Sequence, residues 1–419
     1  MNQQTFGPRM PRLRPIRNWP IHRRLAAFLS LALLVGVGIY LPVTALAPLA
    51  PTPARLLAFN DPARAAAAPQ LPSFGASAVG AIGYPEALVT AGSKAAMPIA
   101  SISKIITTLV VLEAKPLAVG ESGPMITFTA ADAALTAKYV ALNGETKPLV
   151  AGSVISQLDL IRVALVASAN NYAEALSGWA YHSSAAFQIA VTAWLSFHGL
   201  THTTIVEPTG INPGNVSTAA ELVEIGKLAL ANPVVAAIVA TSSMTLAGLG
   251  TLNNTNSLLG QNGVEGIKTG TLNGTSDLLF SARYRYGTHS VTVVGAVIGG
   301  PSRSAINATV TTLLAGMKAG FHEVMLARPG QPFASFTTDW SQRVSAVSRG
   351  SASILVWGNT PVRANFVVEP ARVGPDNASA GQVTFTGGRQ VVKVPLVLDH
   401  PLVDPGTWWR LQNPAALAP

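Results

Sequence analysis

The 419-residue chain predicts an α+β protein tethered at its N-terminus, with a helical middle, a strand pair beyond it and a β-rich end. Three observations point there. An apolar run from Leu25 to Leu41 follows a cluster of arginines. The stretch from about 128 to 240 reads as helices, with runs such as Ile155–Val166 and Thr218–Ala231. After it come the strand-like segments Ser276–Tyr286 and Ser290–Val297, with a turn at Gly287.

Hydrophobic residues make up 49% and charged residues 11%, which supports a large core and excludes disorder over most of the chain. The net charge of +9 would suggest nucleic-acid binding if it were spread over the chain. It is not. Residues 1–24 hold Arg9, Arg12, Arg14, Arg17, Arg23 and Arg24 and no acid, so the excess belongs mainly to a basic tail and no nucleic-acid partner is implied. With no cysteine, the chain has no disulfide framework, lipidated cysteine or thiolate metal site.

From Leu25 to Ala54 there is no charged residue. A transmembrane signal-anchor over 25–50 is expected, with the arginines cytoplasmic and the rest of the chain outside the cell. A cleaved signal peptide is the rival. Ala45-Leu46-Ala47 has the small-x-small pattern of a cleavage site, but Pro48 follows it, and Pro51 likewise follows Ala50. Residues 51–75, rich in proline and alanine, read as a semi-rigid spacer.

A folded domain is expected over 76–330. It opens on a short strand pair, Ser77–Tyr84 and Leu88–Ala91, followed by an apolar helix from Ser101 to about Glu113. A helix over Arg303–Leu326 follows the later strand pair. The segment 340–412 carries β-like runs at Ser353–Trp357, Val362–Val368, Gln382–Phe385 and Val391–Val397, and reads as a small β domain.

Three short segments carry chemistry. In Pro98-Ile99-Ala100-Ser101-Ile102-Ser103-Lys104, a helix starting near Ser101 places Ser101 and Lys104 on one face. A serine hydroxyl needs a base, and a lysine serves only if desolvation or a second cation lowers its pKa. Alone, Ser101 is a helix cap. In Ser168-Ala169-Asn170, a turn between two helices would aim a hydroxyl and an amide into a cleft, the one to relay a proton and the other to hold a substrate amide. In Lys268-Thr269-Gly270-Thr271, an outer strand would bring a second lysine, with Gly270 letting a substrate backbone approach and the two threonines facing a substrate carboxylate. Taken singly, the last two segments are a capping turn and a surface turn.

In this order the three segments resemble the motif set of the serine penicillin-binding and β-lactamase superfamily. More narrowly, Met97–Glu113 and Glu207–Leu222 resemble the low-molecular-weight D-alanyl-D-alanine carboxypeptidases, and the resemblance covers about residues 76–325. It implies a β-lactamase/transpeptidase-like fold, an antiparallel sheet flanked by helices plus a helical subdomain. It implies Ser101, Lys104 and Ser168 as catalytic residues, with Asn170, Lys268, Thr269, Gly270 and Thr271 binding substrate. The backbone amides of Ser101 and Thr271 would form the oxyanion hole. The implied substrate is a peptidoglycan stem peptide ending in D-Ala-D-Ala, with β-lactam antibiotics as inhibitors and no metal or organic cofactor. Arg303 is a candidate carboxylate-binding arginine. His198 and His202 straddle Gly199 and read as structural or exposed.

Asn171 stands where relatives often carry aspartate, and Leu272-Asn273-Gly274-Thr275 departs from the commonest carboxypeptidase version. A transpeptidase or endopeptidase shares these motifs. A β-lactamase does too but needs a water-positioning group, for which Glu207 sits in a loop one residue too long. A non-catalytic cell-wall-binding protein would usually lose the serine or a lysine, and this chain keeps both.

Overall fold

The computed structural model describes residues 20–61 and 69–417. Arg9, Arg12, Arg14 and Arg17 of the basic tail, and 62–68 of the spacer, lie outside the described residues. Helix α1, Ile21–Leu46, starts before the charge-free run, takes in Arg23 and Arg24, and continues through Pro42. Its 26 residues span about 39 Å, enough to cross a bilayer, and its apolar side chains are exposed along its length.

The chain then passes through β1 (Arg55–Leu56) into a hairpin of β2 (Ala76–Ala81) and β3 (Tyr84–Gly92). Gly83, at φ +86°, makes the turn, so Tyr84 opens the second strand rather than closing the first. The short β4 (Met97–Pro98) leads into a single 3₁₀ turn, Ala100–Ile102, and then α2 (Ser103–Ala114). Every α2 residue from Ser103 to Leu112 is buried, which makes it the central helix of the domain.

A helical subdomain surrounds α2. It comprises β5 (Met125–Thr127), α3 (Ala130–Ala141), β6 (Val154–Ser156), α4 (Gln157–Val166), α5 (Asn170–Tyr181) and α6 (Ser184–Phe197). Local chemistry sets the helix starts. Thr129 and Asp132 close a capping box on α3, and the Ser156 hydroxyl accepts from the Asp159 amide at the head of α4. The chain returns through β7 (Val216–Ser217), α7 (Ala219–Ala231), α8 (Pro233–Val239) and the hairpin β8 (Ser243–Leu246) and β9 (Gly250–Asn253).

Three strands complete the main sheet: β10 (Val264–Leu272), β11 (Thr275–Tyr286) and β12 (His289–Gly300). The antiparallel order is β10-β11-β12-β2-β3, which leaves β10 at an outer edge. Alternation along β11 splits the core. Leu279 faces the helical subdomain, whereas Leu278 and Phe280 face α9 (Arg303–Gly320) through Val310, Leu313 and Met317.

The expected helix over Arg303–Leu326 ends earlier, at Gly320. A side chain there would meet the Trp357 ring at 2.3 Å, and from Phe321 the chain pairs with the strand carrying Trp357. The β-rich region therefore begins at Phe321, not at 340, and contains β13 (Phe321–Ala327), β14 (Pro332–Thr337), β15 (Arg343–Ser348), β16 (Ala352–Trp357), β17 (Val362–Val368), β18 (Ser379–Gly387) and β19 (Gln390–Leu398). Its six-stranded sheet runs β1-β14-β15-β19-β18-β17, beside the pair β13–β16. The spacer thus supplies an edge strand: Arg55 and Leu56 pair with Ser335 and Ala334, and Thr52 bridges Ala371. The chain closes with α10 (Thr407–Gln412).

Candidate active site

Ser101 lies half-buried in the 3₁₀ turn, one step before α2, so its side chain and that of Lys104 project from successive positions on one face. The Lys104 Nζ is 2.7 Å from Ser101 Oγ, 2.9 Å from Asn170 Oδ1 and 2.8 Å from the Thr209 carbonyl. The Asn170 amide nitrogen donates to Thr209 Oγ1 at 3.3 Å, which orients its oxygen toward the lysine. Two of the three partners are carbonyl oxygens and can only accept. A neutral amine that donates to both directs its lone pair at the Ser101 hydroxyl.

Lys104 is fully buried, and burial pushes its pKa down to about 7, with Glu207 and Glu145 opposing. The sequence reading left desolvation or a second cation as the cause. Desolvation is the leading one, and the second lysine is itself affected. Lys268 sits well below its ordinary value, first through burial and then through Lys104 and Arg303. Neither lysine forms an ion pair among the described residues, so this site disfavours two charged ammonium groups.

Lys268 donates to Ser168 Oγ at 2.8 Å and to the Thr269 carbonyl at 3.1 Å. Ser168 sits between α4 and α5 in the left-handed region, at φ +58°, which turns its hydroxyl into the cleft. Asn170 opens α5 and its amide is engaged by Lys104 and Thr209, so in this structure it holds Lys104 rather than presenting a free amide.

The outer strand β10 forms the far wall. Thr269 Oγ1 lies 2.6 Å from Thr255 Oγ1, and Arg303 donates to the Thr255 carbonyl at 2.7 Å and to Thr271 Oγ1 at 3.0 Å. Gly270 is explained differently from the sequence expectation. A Cβ there would lie 3.0 Å from the Ile99 carbonyl and 2.9 Å from an Asp277 carboxylate oxygen, so glycine lets β10 approach the turn that bears Ser101. Ser101, Glu145, Ser168, Asn170, Gly210, Thr255, Thr269, Thr271 and Arg303 line one cleft of about 150 Å³. A larger cleft of about 490 Å³, between Met125, Phe128, Tyr172 and Leu249, contains no serine–lysine pair.

Sequence reasoning assigned no role to the loop that braces α2. The Glu207 carboxylate accepts from the amides of Thr209 (2.8 Å), Gly210 (2.5 Å) and Asn212 (3.3 Å) and from Asn215 Nδ2 (3.2 Å). Thr107 donates to the Pro208 carbonyl, and Asn215 Nδ2 donates to Ser103 Oγ, so the loop is stapled along the first turns of α2. The turn-forming residues of Pro208-Thr209-Gly210 were the available signal. Asp277 was also missed. It is buried opposite Gly270 in register, accepts from the Gly299 amide at 2.8 Å, and has its pKa raised to about 6 by burial. Asn171 accepts from the Lys147 amide and donates to the Lys147 carbonyl, which an ionised aspartate could not do.

One serine–lysine contact at the head of a central helix and a second made by the lysine of the outer strand are thus placed within a penicillin-binding, transpeptidase-type fold. Penicillin-binding protein 5 from Haemophilus influenzae superimposes with a TM-score of 0.56 at 17% identity, over 81% of this chain and 99% of that one. A Streptomyces DD-transpeptidase superimposes at 0.53 and 24% identity, over 60% and 99%. The chain belongs to the D-alanyl-D-alanine carboxypeptidase family, whose model matches residues 86–299. The D-alanyl-D-alanine endopeptidase of Pseudomonas aeruginosa is 32% identical over 136 residues, which is 31% of this chain and 38% of that protein. That of Escherichia coli is 34% identical over 128 residues, which is 30% and 38%. The matches thus span well under half of either relative.

Proposed function

We propose that this protein is a serine D-Ala-D-Ala carboxypeptidase that removes the terminal D-alanine of peptidoglycan stem peptides through an acyl-enzyme on Ser101. The contact that carries the proposal is Lys104 Nζ at 2.7 Å from Ser101 Oγ, with the other two lysine partners being carbonyls. Ser101 Oγ attacks the carbonyl between the two D-alanines as its proton passes to Lys104. Amides of the Ser101 turn and of the β10 edge at Thr271 stabilise the oxyanion. The C–N bond then breaks, and Ser168, held by Lys268, relays the proton to the leaving amine. Water hydrolyses the ester. Arg303 and Thr271 form the end of the cleft suited to the substrate carboxylate.

In this reading α1 anchors the chain in the membrane, a catalytic domain extends from Ala76 to Gly320, and a β-rich module follows, with the active site outside the cytoplasm. The occupied Glu207 carboxylate argues against a β-lactamase's water-positioning group. The names of the two curated relatives favour a second reading, an endopeptidase using the same site to cut a cross-link.

Intact mass after mixing with penicillin tests the acyl-enzyme. A persistent adduct, absent in Ser101→Ala, is expected, and that variant loses turnover by on the order of a millionfold while staying folded. Undiminished activity in Ser101→Ala would sink the mechanism. Release of D-alanine from a pentapeptide, compared with cleavage of a cross-linked dimer, separates carboxypeptidase from endopeptidase.

A further inference from the structure

The two ends of the chain meet outside the active-site domain. Tyr40, near the last turn of α1, donates from its hydroxyl to the Leu411 carbonyl at 2.8 Å, and Arg410 Nε donates to the Ala47 carbonyl at 3.2 Å. Leu49 bridges Leu417, and Thr52 bridges Ala371. Helix α10 therefore lies against the end of the apolar helix rather than at the tip of a free spacer.

The depth of this contact follows from helix geometry. Tyr40 precedes Leu46 by six residues, which is about 9 Å along the axis. A hydrocarbon core of about 30 Å accommodates roughly 20 residues, which from Leu25 ends near Thr44 and leaves Tyr40 about one helical turn inside the outer membrane–water boundary. Aromatic residues concentrate at that boundary.

Around the contact three large apolar side chains are exposed. Trp408 is 72% exposed, Val403 57% and Val373 42%. The bridge between Gly374 and Leu402 brings the last two segments together. Charged groups flank them: Arg372 is exposed beside Val373, and Asp404, beside Val403, forms two 2.6 Å contacts with Arg410. Trp409 packs edge-on against Trp340 at 5.4 Å, which leaves the adjacent Trp408 directed elsewhere. Single exposed apolar residues are ordinary. Here Val373 and Val403 flank the Gly374–Leu402 bridge and Trp408 belongs to the helix held against α1, so all three sit on segments tied to the end of a membrane-length helix.

We propose that Val373, Val403 and Trp408 form a lipid-facing surface that rests in the headgroup region of the outer leaflet beside α1. The β-rich module is then seated on the membrane rather than lifted from it. This inference rests on the reading of α1 as a membrane span.

The chain lacks cysteine, so single probes can be placed in the full-length protein. Leu41→Cys, Val403→Cys, Trp408→Cys and, as a control on the β8–β9 turn, Ala247→Cys would each carry an environment-sensitive fluorophore. The labelled chains would be reconstituted in phosphatidylethanolamine–phosphatidylglycerol vesicles containing a lipid spin-labelled near its headgroup. Quenching at Val403 and Trp408 of at least half that at Leu41, with none at Ala247, is expected. Quenching at Leu41 alone would overturn the seated module and leave the anchor standing. No quenching at Leu41 would remove the anchor itself. Val403 keeps Trp408 intact, so agreement of the two probes shows that removing the indole did not create the result. Shielding of both that requires high protein density would assign the surface to a second copy and overturn the proposal.

Discussion

Lys104 has three partners around one nitrogen, and only Ser101 can return a proton to it. In the proposed mechanism that asymmetry gives the acylation step a defined pH dependence. The lysine's pKa is lowered to about 7, so it is a neutral base above that pH and a blocked ammonium below it. The rate of penicillin acylation should climb about tenfold per pH unit below about pH 7 and level off above it. A rate independent of pH between about 5 and 9 would remove Lys104 as the base. The same shift acts on stability with a definite sign. The folded value lies below the unfolded one, so between them the unfolded chain binds more protons and stability rises with pH. Much of this chemistry was legible in residue spacing, since Ser101 and Lys104 share a helical face in any helix that starts there. The cause of the pKa shift was not, because burial is a property of everything packed around α2.

Among the elements, the Glu207–Asn215 loop packs against the turn that precedes α2. Gly210 has φ +85°, and a Cβ there would lie 1.8 Å from the Ala100 carbonyl. Gly210→Ala should therefore displace the turn carrying Ser101, slowing penicillin acylation by about 100-fold and destabilising the fold by roughly 1–3 kcal/mol. Labelling rate and thermal unfolding of the purified variant check both, and an unchanged labelling rate would show that the turn tolerates the shift. Local signals set several helix starts, where a hydroxyl caps the first turn at Thr129, Ser156, Thr218 and Ser302. They failed at the end of α9. Residues 321–326 carry an apolar pattern that suits a helix or a strand, and pairing with β16 made the choice. They failed again at β14 and β15, whose short runs become strands only by pairing with one another, with β1 and with β19.

Across the molecule, an aromatic seam couples the main sheet to the β-rich module. Tyr84 meets Phe321 at 4.9 Å, and Phe321 meets Trp357 at 4.9 Å, over the Gly320 gap. Trp357→Ala should lower stability by about 3–5 kcal/mol, read by denaturant unfolding, while the folded fraction still acylates at the normal rate. A loss of acylation in the folded protein would mean that the module shapes the site directly. The sequence by itself determined the fold class, the order of the three motif segments, the closeness of Ser101 to Lys104 and the apolar N-terminal run. Each is written in local spacing or composition. Only the tertiary structure decided that Asn170 serves the lysine, that Gly270 makes room for the Ser101 turn, that Arg303 reaches Thr271, and that part of the spacer is an edge strand. Those outcomes depend on pairs of residues tens to hundreds of positions apart, whose meeting is set by sheet register and core packing.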